Sequence, residues 1–437
     1  MKSRLYCSLT AMVMFGLALT ACSAPAPAAK APEVVATKVL PKEFRFGTLE
    51  GDFINNVNRM IIEEFQAKYP GVEVKKEVLS GDLMQVLSAQ AAAGSLADVV
   101  FLADLFVVPF AQAKITIDME PLAKADPDFD LGGVYENMLA LSKVEGKGLY
   151  MIPSSYDVVT MYYNKDLFAA AGAPLPTAAS TWKEIVDSCK LILEKTKAYC
   201  IGNDGKWWAT YVPFIEGYGG KVLSADGKKV LLSSSESLAG LQAYTDMWTK
   251  DGIGKPADFD CGGDCFTVGK AALNFTIPGP MNALRKLNPQ PFKWDVEVIP
   301  SFPNGKKVTG MGTYGFGISA NAKDPELAWQ FIKALLSVKT QKAIAMDYSG
   351  MPLQKSLRKD ADILALAGPP DNIEAFMSNG ENGITPQYFP GKCGSLYAGQ
   401  INTEINDAFD AVVISKKSVT EAFTTANDNI QACLDGN

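Results

Sequence analysis

The stretch from Glu43 to Val78 carries two hydrophobic periods in turn. Phe44 and Phe46 alternate with Glu43 and Arg45, which predicts a strand. Ile54, Val57, Ile61 and Phe65 then recur at helical spacing on one face. Pro70-Gly71 stops that helix, and Val72 and Val74 resume a period of two. "SGDLMQVLSAQAAAGSLADVVFLAD" repeats the logic, predicting a helix from Asp82 to about Ala93 and a buried strand from Asp98 to Leu102. Strand–helix alternation of this kind implies an α/β architecture with largely parallel sheets. Further on, "NAKDPELAWQFIKALLS" places Asp324 as an N-cap and Pro325 at the first helical position. Ala328, Phe331, Leu335 and Val338 are its predicted buried face, and Trp329, in the same helix, is expected to serve stability. No internal repeat is apparent.

The start of the chain has a different pattern. Lys2 and Arg4 precede a mostly apolar run, Leu9–Ala21, too short for the roughly 20 residues that span a bilayer. A basic start, a short apolar core and small residues at its end describe a secretory signal, expected over residues 1–21. Leu19-Thr20-Ala21-Cys22 resembles the bacterial lipoprotein cleavage box, which implies a diacylglycerol on the Cys22 sulfur. The alternative is a plain secretory peptide with a chance cysteine. Residues 22–42, rich in alanine and proline, then form an extended tether between a membrane anchor and a folded body.

Composition narrows the function. The net charge is −7, and it becomes more negative once Lys2 and Arg4 leave, so no nucleic-acid partner is expected. Histidine is absent, which removes Ser-His-Asp and Cys-His catalysis and every His-ligated metal site. No cofactor and no metal are expected. Beyond Cys7 and Cys22 stand Cys189, Cys200, Cys261, Cys265, Cys393 and Cys433. An even number in an exported chain suggests disulfides, and sequence proximity favours Cys189–Cys200, Cys261–Cys265 and Cys393–Cys433. A four-cysteine zinc site is the rival reading. "GMGTYG", Gly310–Gly315, matches a dinucleotide fingerprint literally. The next residues, "FGISA", alternate like a strand rather than opening a helix, so the cofactor reading is rejected. These glycines instead allow close backbone approach.

Several blocks together resemble the extracellular solute-binding proteins of bacterial ABC importers, of the maltose and oligosaccharide type (family 1). They include "EEFQAKYPGVEV", "MIPSSYDVVTMYYNKDLFAAAG", "TWKEIVDSCKLI", "FTVGKAALNFTIPGPM" and "GMPLQKS". The resemblance runs from about residue 43 to the C-terminus. It implies the two-lobed α/β periplasmic-binding-protein fold (class II type), with a ligand cleft between lobes joined by crossing hinge segments. The expected N-terminal lobe is 43–155 plus 303–337, and the C-terminal lobe is 156–302 plus 338–437. Crossings are expected near Pro153–Val158, Val298–Phe302 and Ser337–Thr340. The implied function is capture of a carbohydrate, a mono- or small oligosaccharide, and its delivery to ABC transporter permease subunits. The protein is expected to be a monomer, not an enzyme, and lipid-anchored to the outer face of the cell membrane. The rivals are a glycoside hydrolase using a carboxylate pair, and a lipid-tethered sensor or adhesin on the same fold.

A sugar cleft needs aromatic faces for C–H surfaces, and carboxylates and amides for hydroxyls. Carried over from the family, the polar contacts fall on Glu50 and Asp52, on Asp104, and on Asp157. Asp104 reads alternatively as a helix cap, and Asp157 as a solvated hinge charge. Trp207, Trp208 and Tyr211 in "GKWWATYVPF" are aromatic candidates, with Tyr156, Tyr314 and the adjoining Gly312. The alternative for the tryptophans is packing beneath the second lobe. The family's tryptophan platform after "GP" is replaced here by Met281. At the C-terminal cleft wall stands Leu396, with Tyr397 beside it, so long malto-oligosaccharides fit poorly.

Overall fold

A computed structural model describes residues 40–436 except 145, 348–349, 367, 390–392 and 398, and it leaves the side chains of Asp52 and Phe53 undescribed. Cys22 and the signal and tether residues up to 39 lie outside the described residues. In chain order the strands are β1 (Glu43–Thr48), β2 (Glu73–Val78), β3 (Val99–Ala103), β4 (Ile152–Pro153), β5 (Asp157–Val158), β6 (Thr160–Asn164), β7 (Tyr199–Ile201), β8 (Ala271–Thr276), β9 (Trp294–Glu297), β10 (Thr309–Gly312), β11 (Tyr314–Ile318) and β12 (Gly383–Ile384).

They form three sheets. The first runs β2-β1-β3-β11-β4, parallel among β1, β2 and β3, with β11 antiparallel to both of its neighbours. The alternation of Phe44 and Phe46 sends both rings into one core, where Phe331 lies 4.9 Å from Phe44 and 4.8 Å from Phe46, and Phe316 lies 5.1 Å from Phe46. The helix Asp52–Lys68 covers this sheet through Ile54, Val57, Ile61 and Phe65, the four residues its period predicts. A helix spans Leu83–Ala92, capped by Asp82 accepting from Gln85 N at 3.0 Å. The next strand starts at Val99, one residue later than expected.

The second sheet runs β7-β8-β6-β9 and backs a separate core in which Phe214 meets Trp182 at 4.5 Å and Phe302 at 5.1 Å. Thr181 and Glu184 close a capping box at the head of the helix Trp182–Thr196, the physical content of the "TWKE" block. The C-terminal helices Gly399–Val413 and Val419–Asp435 pack on each other and on the helix Ser235–Thr249. Cys189–Cys200, Cys261–Cys265 and Cys393–Cys433 are disulfide-bonded, so no thiolates remain among them for the zinc alternative.

The third sheet, β12-β10-β5, joins the two bodies. The chain leaves the first sheet at β4, passes through β5 and enters the second sheet at β6. It returns through β10, one residue before β11 rejoins the first sheet. It has returned to the second sheet before β12, since the helix Glu374–Asn379 lies on β6 and β9 and Asn379 donates to Thr160 at 3.1 Å. β5 lies within the Pro153–Val158 segment, and β10 follows the Val298–Phe302 segment. Phe302 and Val308 are still held in the second core. The helix Val338–Met346 packs on Asp52–Lys68 and buries Ile344 and Ala345 in the first core. Val338 itself is exposed, contrary to its predicted place on a buried face. The helix capped by Asp324 ends at Leu335, and Ser337 caps a new helix whose phase is reset, accepting from Thr340 N at 3.0 Å. Trp329 is buried and donates to Asp126 at 2.9 Å.

Candidate functional site

Two cavities hold most of the polar and aromatic groups of interest. One, of about 760 Å³, is lined by Met84, Asp104, Phe106, Lys143, Tyr388 and Tyr397 among others. The other, of about 670 Å³, is lined by Asn203, Asp204, Trp207, Asp264, Asn274 and Met281 among others.

Asp104 opens the helix Asp104–Gln112 directly after β3. Its Oδ1 accepts from its neighbour Leu105 N at 2.7 Å, and its Oδ2 accepts from Thr313 N at 3.1 Å. Burial nevertheless prevails over these two N–H groups and pushes its pKa up to about 6. Each oxygen keeps lone pairs beyond those bonds. Gly312 stands beside it: a Cβ there would lie 2.9 Å from Asp104 Oδ2 and 3.5 Å from the Tyr397 hydroxyl. A glycine is therefore needed for β10 to pass this carboxylate. Gly310 does the same against the helix Trp208–Gly217, where an added Cβ would come within 2.4 Å of Ala209 Cβ. The "GMGTYG" run is two strands with close approaches, as read from its alternation.

The adjacent tryptophans part company. Trp207 precedes the helix, is 37% exposed and faces the second cavity with Met281. Trp208 is 1% exposed, in the second core, with its ring edge-on to Tyr397 at 5.9 Å. Its indole Nε1 is buried and makes no hydrogen bond of proper geometry, the Tyr397 hydroxyl being its polar neighbour.

The remaining candidates are dispersed. Asp157 in β5 is buried at the crossing, accepts from Ser155 Oγ at 2.7 Å, and is pushed up to about 7 by burial. It is no solvated charge, and it lines neither cavity. Tyr156 is buried against Tyr135, with ring centroids 4.7 Å apart, and accepts a long 3.4 Å bond from Asn137. It lines a third cavity, of about 440 Å³, with Arg358 and Glu381. Tyr314 stacks on Phe101 at 5.4 Å. Tyr211 is a correction: it is wholly buried on Phe409 at 5.1 Å, because its helix turns that face into the second core. Glu50 is exposed, pairs with Lys76 at 3.3 Å, and lines neither cavity. Asp52 begins its helix, and its side chain lies outside the described residues.

Residues unselected at sequence level complete both cavities. Asn203 and Asp204 lie just before the paired tryptophans in "GNDGKWW", a signal open to a sequence reading. Tyr397 lies next to Leu396, which is buried while Tyr397 reaches Asp104 and Trp208. Lys143 and Tyr388 carry no local signal at all.

The model of the family described as bacterial extracellular solute-binding protein matches residues 51–342. The chain belongs to this family. Among relatives of this solute-binding protein, one of Brucella abortus described as a binding protein is 30% identical over 308 residues, covering 68% of this chain and 72% of that one. A maltodextrin-binding protein of Bacillus subtilis is 27% identical over 237 residues, covering 50% and 53%. An ABC substrate-binding protein from Listeria monocytogenes, solved in complex with cycloalternan, has a TM-score of 0.76 at 22% identity, covering 90% and 98%. The two-lobed α/β fold is thus that of the solute-binding proteins, as expected. No helix among the described residues is long and apolar enough to cross a membrane.

Proposed function

We propose that this solute-binding protein captures a mono- or small oligosaccharide between its lobes and delivers it to the permease subunits of an ABC importer, without catalysing a reaction. The observation that carries the reading is the pair of cavities: the one at Asp104 draws its walls from both lobes, and the one at Trp207 supplies the stacking plate. In the latter a half-exposed indole offers a stacking face, Asn203, Asp204 and Asn274 offer hydroxyl partners, and none of the lining residues is basic. That pairing of an apolar plate with neutral and acidic acceptors suits a polyol and disfavours an anion. The ligands named for relatives and neighbours, maltodextrin and cycloalternan, support the same chemistry.

The lobes would comprise 43–155 plus 314–364 and 160–308 plus 371–436, with β5, β10 and the segment before the helix Glu374–Asn379 as the hinge. The chain would act as a monomer tethered through lipid on Cys22 at the outer membrane face. A thermal-shift screen over mono- and disaccharides tests the binding: ligand at a hundred times Kd stabilises the fold by about 2.7 kcal/mol. No shift with any sugar would sink the reading. Turnover of aryl glycosides by the same preparation would favour the hydrolase instead. Cys22→Ala should release an otherwise folded protein from membranes.

A further inference from the structure

The Asp104 end of the first cavity has a place for one hydroxyl group. Asp104 has unused lone pairs on a buried carboxyl, and Trp208 has a buried N–H with no acceptor in good geometry. A hydroxyl between them would donate to the first and accept from the second. The group nearest that place belongs to the protein itself. The Tyr397 hydroxyl lies 3.5 Å from the point where a Gly312 side chain would start, and Asp104 Oδ2 lies 2.9 Å from the same point. The Tyr397 ring stands edge-on to Trp208, and it also lines the cavity. Four separate segments converge here: the start of the helix after β3, the end of β10, the head of the helix Trp208–Gly217, and the segment after Cys393, which Cys433 secures.

We infer that Tyr397 is an internal competitor, its phenol hydroxyl occupying the place that a hydroxyl of the bound sugar takes between Asp104 and Trp208. The inference rests on the carbohydrate reading above. A phenol and a sugar hydroxyl offer the same donor and acceptor, so the exchange keeps both partners satisfied. The ligand must displace the phenol, and the observed affinity is reduced by the fraction of molecules in which the place is free. Tyr397 thereby determines specificity. Solutes that present no hydroxyl to Asp104 cannot repay the displacement, whereas those that do are selected.

Tyr397→Phe removes the hydroxyl and keeps the ring. Calorimetric titration with the sugars that stabilise the wild-type protein should show about tenfold tighter binding, equivalent to about 1.4 kcal/mol. Unchanged or weaker binding would overturn the inference, weaker binding meaning that the phenol helps to hold the ligand. A second readout needs no ligand. In the sugar-free variant the Trp208 indole loses the polar hydroxyl beside its N–H while the ring still covers it, so tryptophan emission should move to the blue, and an unmoved spectrum also overturns the inference. A wild-type chain that binds no sugar defeats the functional reading separately, and the emission spectrum then decides whether the phenol holds its place over Trp208.

Discussion

The cavity at Asp104 and the cavity at Trp207 solve the same problem with different materials. The first places a carboxyl that is nine-tenths buried under aromatic rings, and draws its walls from residues 82–84, 104–109, 140–143, 385–389, 394–397 and 399. The second exposes its aromatic plate and draws its walls from 203–207 and 264–287 alone. A site assembled from short local segments can be read along the chain, because the indole, amides and carboxylates that make it stand near one another. A site assembled by the crossing strands cannot, since nothing around Tyr397 announces Asp104 almost three hundred positions earlier. The adjacent tryptophans mark the border between the two.

The sharpest way to break that border is to truncate each tryptophan. Trp208→Ala empties a fully buried site and should cost about 3–5 kcal/mol of stability in denaturant unfolding. Trp207→Ala should leave unfolding nearly unchanged and weaken sugar binding by roughly 2 kcal/mol, about thirtyfold in Kd. If Trp207→Ala leaves affinity intact, the second cavity is not where the ligand stacks.

Each cavity is also bordered by a disulfide, and the two differ in reach. Cys393–Cys433 closes a loop of sequence separation 40 next to Gly394 and Ser395, whereas Cys261–Cys265 spans a separation of 4 around Asp264. On loop-closure entropy the first should contribute about 4 kcal/mol and the second about 2 kcal/mol. Serine pairs at each position, compared by chemical denaturation, should therefore differ by about 2 kcal/mol. Equal losses would mean that native packing rather than loop length governs both.

The same contrast explains how much of the molecule is legible in the sequence. The period-two and helical faces of 43–78 and the Asp324 cap are local, and they appear as read. The strands β10 and β12 are not legible along the chain because they hold only four and two residues, too few to show a period, and their partners lie far away. Tyr211 departs from its expected place for a related reason: a tyrosine on a polar-flanked segment reads as a cleft residue until Phe409, from a distant helix, covers it.

The smallest expected effect separates the two buried carboxylates. Burial raises both, Asp104 to about 6 and Asp157 to about 7. The difference comes from their partners, two backbone N–H groups for Asp104 against one Ser155 hydroxyl for Asp157. Because these folded-state values lie above the unfolded range, the ligand-free protein binds more protons folded than unfolded, and its stability should fall as pH rises from about 4 to about 7. Ligand affinity runs the other way. Sugar hydroxyls that donate to a carboxylate favour its ionised form and lower its pKa in the complex. Affinity is then full above the free value and falls as pH drops through it. Whichever carboxyl is the acceptor, lowering the pH from about 7 to about 5.5 should weaken binding severalfold. Asp104→Asn should flatten the profile if Asp104 is the acceptor and leave it intact if Asp157 is, while Asp157→Asn does the reverse. Titrations across that range therefore identify which carboxyl the solute touches. A slope that survives both substitutions would place the proton-linked group outside the crossing and the cavity alike.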